Sequence, residues 1–247
     1  MFTKHTLLQG AAILTAAGLV SRLMGFFFRI FLSHAFGEES VGLYQLIFTV
    51  YALCLSVSTA GLQTAVSRMT AEKVSQGQKE AAGNVLRIAL CLTLILSLAE
   101  VLLIQQNAAR IAETFLGDPR CAGLLVIISY ALPCAAVHSC ICGYSFGIQR
   151  TEVPAASQLI EQTARILFVV LLFLFIKNTG HVPSIKLATA GIAAGEFASA
   201  VFSSKMLSAR RPFGKLPSLS AISGDTRELL SLSVPCLLYT SDAADEL

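Results

Sequence analysis

Charge is scarce in this 247-residue sequence: Asp, Glu, Lys and Arg together supply 13% of it, against about 25% in an average soluble domain. With 55% hydrophobic residues and a mean hydropathy of +0.70, the chain lacks the polar material to cover a water-facing globule. Enzyme signatures are missing as well. There is no Walker loop or G-x-G-x-x-G for a nucleotide, no H-E-x-x-H and no G-x-S-x-G. No paired-Asp loop suits magnesium. No cofactor and no enzymatic activity are expected. The net charge of +3, without a basic run, excludes a nucleic-acid arm. The seven cysteines include no C-x-x-C pair and no histidine at zinc spacing, so they read as small apolar packing units and no metal is expected. His34 and His138 stand isolated in the sequence and receive no chemistry.

What is present is a succession of long apolar runs: Leu7 to Ala35, Gly42 to Val66, Asn84 to Gln105, Gly123 to Ile148, Ala155 to Ile176 and Leu187 to Leu207. Each approaches or exceeds the ~20 residues that span a bilayer as a helix. None alternates like a barrel strand, and lipid tolerates no unpaired backbone. The first run passes Arg22 and Arg29 and continues to Phe36 without a cleavage site, so it reads as a retained span rather than a signal peptide. The pattern predicts an all-α polytopic membrane bundle of six complete transmembrane helices. A seventh apolar segment begins near Leu229 and stops at Tyr239, short of a full span. The polar, acidic ending Thr240 to Leu247 does not suit a helix entering a bilayer. The expected organisation is therefore one transmembrane lobe over 1–238 and a non-native tail over 239–247 of a truncated sequence.

The basic residues orient this bundle. With the N-terminus in the cytoplasm, Lys4, Arg68, Lys73, Lys79, Arg87, Arg150, Lys205, Arg210, Arg211, Lys215 and Arg227 fall inside, eleven against the four outside, Arg110, Arg120, Lys177 and Lys186. The other three lie within spans, where an arginine costs from about 2.5 to more than 10 kcal/mol. Gly18, Arg22, Gly25 and Arg29 fall at i, i+4, i+7 and i+11, one stripe of the first helix with its two cations about 10 Å apart. Such a stripe lines a cavity for an anionic group, most plausibly a phosphate. Alternatively, Arg22 pairs with an acid on another helix and Arg29 snorkels outward. Glu161 and Arg165, at i and i+4, suit either a plain salt bridge or cavity lining. Glu196 follows Gly191 and Gly195, a G-x-x-x-G that admits a close neighbour; it suits pairing with the arginine stripe or binding a coupling cation. Gly143 and Gly147 offer a second close approach, and Pro133 and Pro154 mark kinks or helix starts. Arg68 closes the second span, at the headgroups or at a cavity mouth.

Four stretches together carry a resemblance. They are Gly18-Leu-Val-Ser-Arg22-Leu-Met-Gly25-Phe-Phe-Phe-Arg29 with Phe36-Gly-Glu-Glu-Ser-Val-Gly42-Leu-Tyr44; Ala65-Val-Ser67-Arg68-Met-Thr-Ala71-Glu72; Gly143-Tyr144-Ser-Phe-Gly147-Ile-Gln149; and Gln158-Leu-Ile-Glu161-Gln162-Thr-Ala-Arg165. From about Thr3 to Pro235 the sequence resembles the stage V sporulation protein B-like, lipid II flippase-like branch of the multidrug/oligosaccharidyl-lipid/polysaccharide exporter superfamily. The resemblance implies the first lobe of a two-lobed transporter working by alternating access in the bacterial cell membrane. It implies that polyprenyl-diphosphate-linked cell-wall or polysaccharide precursors are moved to the outer leaflet, with Arg22 and Arg29 contacting the diphosphate. Lipid-linked oligosaccharide or lipid II-like substrates, membrane lipids and a coupling cation are the partners it implies. A cation-coupled multidrug exporter and a non-transport structural protein of sporulation are the competing readings; the first would want acids in the cavity.

Overall fold

The computed structural model describes residues 4–209 and 223–233, which are helical apart from short connections, with no strand among them. Helix α1 is Lys4–Phe36. Helix α2 (Glu38–Leu55), a π turn (Ser56–Ala60) and α3 (Gly61–Ser75) run on as one 38-residue rod. Then come α4 (Lys79–Thr114), α5 (Cys121–Ser129), α6 (Ala131–Gly147), α7 (Glu152–Asn178) and α8 (Lys186–Ser208). Residues 223–233 form α9. The predicted tail over 239–247 lies outside the described residues.

Helices beginning or ending in each predicted run follow one another with little chain between them. Gly37 alone joins α1 to α2, at φ 82°, the left-handed region in which a Cβ is strained. The sequence suggested a long connection over 67–83, but α3 continues to Ser75 and α4 begins at Lys79, leaving a turn of three residues. Hydropathy marks the stretch that faces lipid; it does not mark where a helix ends. Met69 and Thr70 lie beyond the apolar run and are fully buried. Pro133 and Pro154 both sit at the third residue of their helices, where a missing N–H costs no intrahelical bond.

Among the described residues, five helices are long and apolar enough to cross a membrane: α1, the α2–α3 rod, α4, the α5–α6 rod and α7. The sixth predicted span, α8, is not among these five. It carries Lys186, Glu196 and Lys205, and much of it is buried between α6 and α7 instead of facing lipid. Contacts between turns fix an alternating arrangement. Arg120, ahead of α5, binds Glu39 at the start of α2 at 2.7 Å, so these two turns share one side. At the opposite side Gly10 of α1 meets Thr151 ahead of α7, and Lys73 of α3 lies 4.0 Å from Asp225 of α9.

α6 occupies the middle, touching α2, α3, α4, α5, α7 and α8. Both small-residue pairs bring helices close. A Cβ at Gly143 would stand 2.6 Å from the Gln63 carbonyl oxygen, and one at Gly147 2.6 Å from Thr70, where α6 crosses α3. A Cβ at Gly191 would stand 2.3 Å from Val169, and one at Gly195 2.8 Å from the Glu161 carbonyl, where α8 lies on α7. Two apolar clusters result: one around Leu32, Ile47, Leu125 and Ile192, the other around Val66, Met69, Leu86 and Ile141. The outer faces of α1, α4 and α7 present Phe27, Leu103 and Phe175 to the surroundings, as lipid contact requires.

Candidate functional site

α1 leans on α7 and α2, and the arginine stripe faces the space between them. Ser21, Arg22, Gly25, Phe26 and Arg29 of α1, with Gln158 and Gln162 of α7, line a cavity of about 340 Å³. A smaller cavity of about 120 Å³ adjoins it, sharing Gly25, Arg29 and Gln162 and adding Tyr44, Gln45 and Arg165. The space exists because Gly25 has no side chain; its nearest neighbour across the gap, Gln162 Nε2, is 3.8 Å from where a Cβ would be. Arg22 and Arg29 are exposed, and neither makes an ion pair or hydrogen bond with a described residue. Pairing of Arg22 with an acid on a neighbouring helix is thus not found among the described residues. Ser21 Oγ and Gln162 Oε1 are buried without a hydrogen-bond partner there. Two free guanidinium groups about 10 Å apart along the helix, with amide and hydroxyl groups between, make a surface for a polyanion.

Gly18 lies on the same stripe but lines neither cavity, and open space surrounds it. Arg68 is exposed on α3 and likewise lines neither cavity.

Behind Arg165 the bundle encloses a second polar group. Arg165 donates a hydrogen bond and ion pair to Glu161, the predicted i, i+4 bridge. Glu196 does not reach the arginine stripe. Its Oε1 accepts a 2.8 Å bond from the Tyr51 hydroxyl, and its Oε2 lies 3.7 Å from His138 Nδ1. His138 Nε2 is 2.9 Å from Ser157 Oγ, and Nδ1 is 3.2 Å from Ser199 Oγ. Four helices therefore meet here: α2 through Tyr51, α6 through His138, α7 through Glu161 and Arg165, α8 through Glu196. The ligand-type atoms of His138, Glu161 and Glu196 all lie within 4.8 Å of one another. Gly195 makes this possible by letting the α8 backbone approach that of Glu161.

Sequence reading missed His138 entirely, because its partners are far along the chain. Gln158 and Gln162 were not singled out either; with Arg165 they fall at i, i+4 and i+7, a polar stripe of α7 that could have revealed this lining. Glu100 was also missed; it lies in α4 near Cys54 of α2 and Ser58 of the π turn, with one carboxylate oxygen buried and without a partner among the described residues. The six described cysteines are free thiols.

Residues 7–241 match the family described as polysaccharide biosynthesis protein. The chain belongs to that family. It is 37% identical over 163 residues to stage V sporulation protein B of Bacillus subtilis (strain 168), covering 66% of this chain and 32% of that protein. It is 28% identical over 206 residues to the lipid II flippase MurJ of the same organism, covering 79% of this chain and 38% of MurJ. The chain thus spans about a third of the length of the curated relatives it matches. Among solved structures it is similar to a MOP superfamily transporter from Pyrococcus furiosus, with a TM-score of 0.73 at 18% identity, over 96% of this chain and 55% of that one. It is also similar to an outward-facing multidrug resistance MATE family transporter of the MOP superfamily, with a TM-score of 0.71 at 19% identity, over 94% and 52%. The all-α membrane bundle of these structures is therefore its fold, and it is a multi-pass membrane protein of the polysaccharide biosynthesis family.

Proposed function

We propose that this chain is the first lobe of a flippase that moves polyprenyl-diphosphate-linked cell-wall or polysaccharide precursors from the cytoplasmic to the outer leaflet, and that Arg22 and Arg29 hold the diphosphate. The observation that carries this reading is that both arginines stand unpaired beside a polar cavity between α1 and α7. An unpaired cation within a span is costly unless water or an anion meets it. A diphosphate offers each guanidinium a planar, bidentate partner. Gln158, Gln162 and Ser21 add hydrogen bonds around it, and Gly25 leaves the room. Gly18 continues the same stripe and keeps its far end open. Arg68 belongs at the cytoplasmic mouth. The lobe sits in a bacterial cell membrane with its N-terminus cytoplasmic, a placement the eleven-to-four distribution of basic residues supports. It binds and releases its cargo without transforming it. A coupling cation acts at the Glu161, Arg165 and Glu196 group behind the cavity.

The multidrug-exporter reading needs acids facing the cavity, yet Glu161 and Glu196 belong to the buried polar group behind it, where Arg165 and Tyr51 engage them. The deciding measurement is binding of a polyprenyl diphosphate, the matching polyprenol and a lipophilic organic cation to the full-length protein in nanodiscs. Preference for the diphosphate that disappears in Arg22→Ala/Arg29→Ala supports the reading. Preference for the organic cation overturns it.

A further inference from the structure

We infer that His138 and Glu196 form an intramembrane proton-binding site, with the proton carried on the His138 imidazole. This gives a chemical identity to the coupling cation and in that respect rests on the flippase reading; the site's chemistry does not.

The hydrogen bonds around His138 carry the inference. Ser157 Oγ lies 2.9 Å from the Pro154 carbonyl oxygen and Ser199 Oγ 2.9 Å from that of Glu196, each a partner that takes the hydroxyl's one proton when the imidazole donates to the oxygen. Both hydroxyl oxygens then face the imidazole as acceptors, at 2.9 Å from Nε2 and 3.2 Å from Nδ1. A neutral imidazole has one N–H and one lone pair, so it satisfies only one of them; an imidazolium satisfies both. A second, independent feature points to the same occupant. Glu196 is 6% exposed, and its Oε2 is buried with no hydrogen-bond partner, aimed toward His138 at ion-pair distance. A buried carboxylate oxygen without a partner is costly unless a positive charge stands near it.

Charge balance agrees. Glu161, Glu196 and Arg165 sum to one negative charge, and a proton on His138 brings the group to neutrality where few waters screen it. The other titratable groups facing it are Tyr44 and Tyr51 of α2 and Cys134 and Cys142 of α6. The contacts that α3 and α4 make beside it on α6 are uncharged: Gln63 with Ser139, and Thr93 with Cys140. A metal ion fits the same donors poorly. Arg165 already occupies Glu161, and both ring nitrogens of His138 face hydroxyl groups instead of leaving a lone pair free.

Arg165 links this site to the cavity, since it binds Glu161 and also lines the smaller cavity with Arg29. Proton uptake from water forms an N–H bond on the imidazole and adds one positive charge behind Arg165; release returns it. The protonated state therefore favours an anion beside Arg29, and the deprotonated state disfavours it.

Solid-state NMR of the full-length protein with ¹⁵N-histidine, without any lipid-linked ligand, tests this separately from substrate binding. The His138 signal is assigned by its loss in His138→Gln. The expected result is an imidazolium spectrum at pH 7 whose titration midpoint falls by about one pH unit or more in Glu196→Gln, where the opposite charge is gone. Ser199→Ala, a small change at a small position, removes one acceptor and lowers the midpoint less; it serves if Glu196→Gln does not fold. A neutral single tautomer from pH 6 to 8 in the unmodified protein, or a midpoint unmoved by either substitution, overturns the proposal. So does a His138 spectrum that changes when sodium replaces potassium at fixed pH, because a metal cation then occupies the site.

Discussion

Arg22 and Arg29 on α1 and Arg165 on α7 are all arginines within apolar helices, yet the bundle treats them in opposite ways. Arg165 is 9% exposed and is held by Glu161, with Glu196, His138 and Tyr51 behind it. Arg22 and Arg29, one helix away, are exposed and have no ion-pair partner among the described residues. Paired buried charge is costly to disturb, and Glu161 already engages Arg165 through one guanidinium nitrogen, although its Nε has no hydrogen-bond partner among the described residues. Unpaired charge on a cavity wall adds little to stability and leaves its hydrogen bonds for a ligand. The comparison separates residues that hold the lobe together from residues that await something.

The sharpest way to break that distinction is to remove one partner on each side. Arg165→Ala strands Glu161 in a buried place and should cost about 3–5 kcal/mol, read as thermal unfolding in detergent; Arg22→Ala should stay within about 0.5 kcal/mol. Equal losses would mean that α1 is as structural as α7. Affinity should reverse the order. Each of Arg22→Ala and Arg29→Ala removes charged hydrogen bonds worth about 1.5–3 kcal/mol, roughly 10- to 100-fold in polyprenyl diphosphate binding by titration, and lysine in their place should restore only part of it. The glycines give a parallel contrast. Gly195→Ala drives a methyl into the Glu161 carbonyl and should destabilise by about 1–3 kcal/mol, whereas Gly18→Ala meets open space and should leave the melting temperature unchanged.

The smallest effect belongs to the exposed turn between α4 and α5. Hydrogen bonds from the Arg120 side chain and backbone hold the Asp118 carboxyl below the usual carboxylate range. A depressed carboxyl stabilises the fold above its ordinary pKa and loses that contribution as pH falls through the folded value. Melting curves should therefore show a slight acid-side loss below about pH 4 that Arg120→Ala abolishes and salt weakens.

Much of this architecture was legible because one physical requirement dominates: lipid demands apolar helices with satisfied backbones, and Leu187 to Leu207 reads as a helix from its residues alone. The cation stripe was legible for the same reason, since Arg22 and Arg29 are conspicuous in an apolar run. Helix ends were less so. The stretch around Met69 and Thr70 is buried by protein, which hydropathy does not register. His138 was illegible for a deeper reason. Its meaning comes from Glu196, Ser157 and Ser199, and the Tyr51 to Glu196 bond closes a separation of 145 residues that no local pattern encodes.

Gly37 makes α1 a lever with a one-residue pivot. At about 1.5 Å per residue, Arg29 lies roughly 12 Å and Arg22 roughly 22 Å from that pivot. A tilt of about 10° about Gly37 carries Arg29 some ~2 Å and Arg22 some ~4 Å across the face of α7. The two cations keep their spacing, but Arg22 sweeps about twice as far as Arg29 across α7, so that a cargo held by both is turned as well as carried.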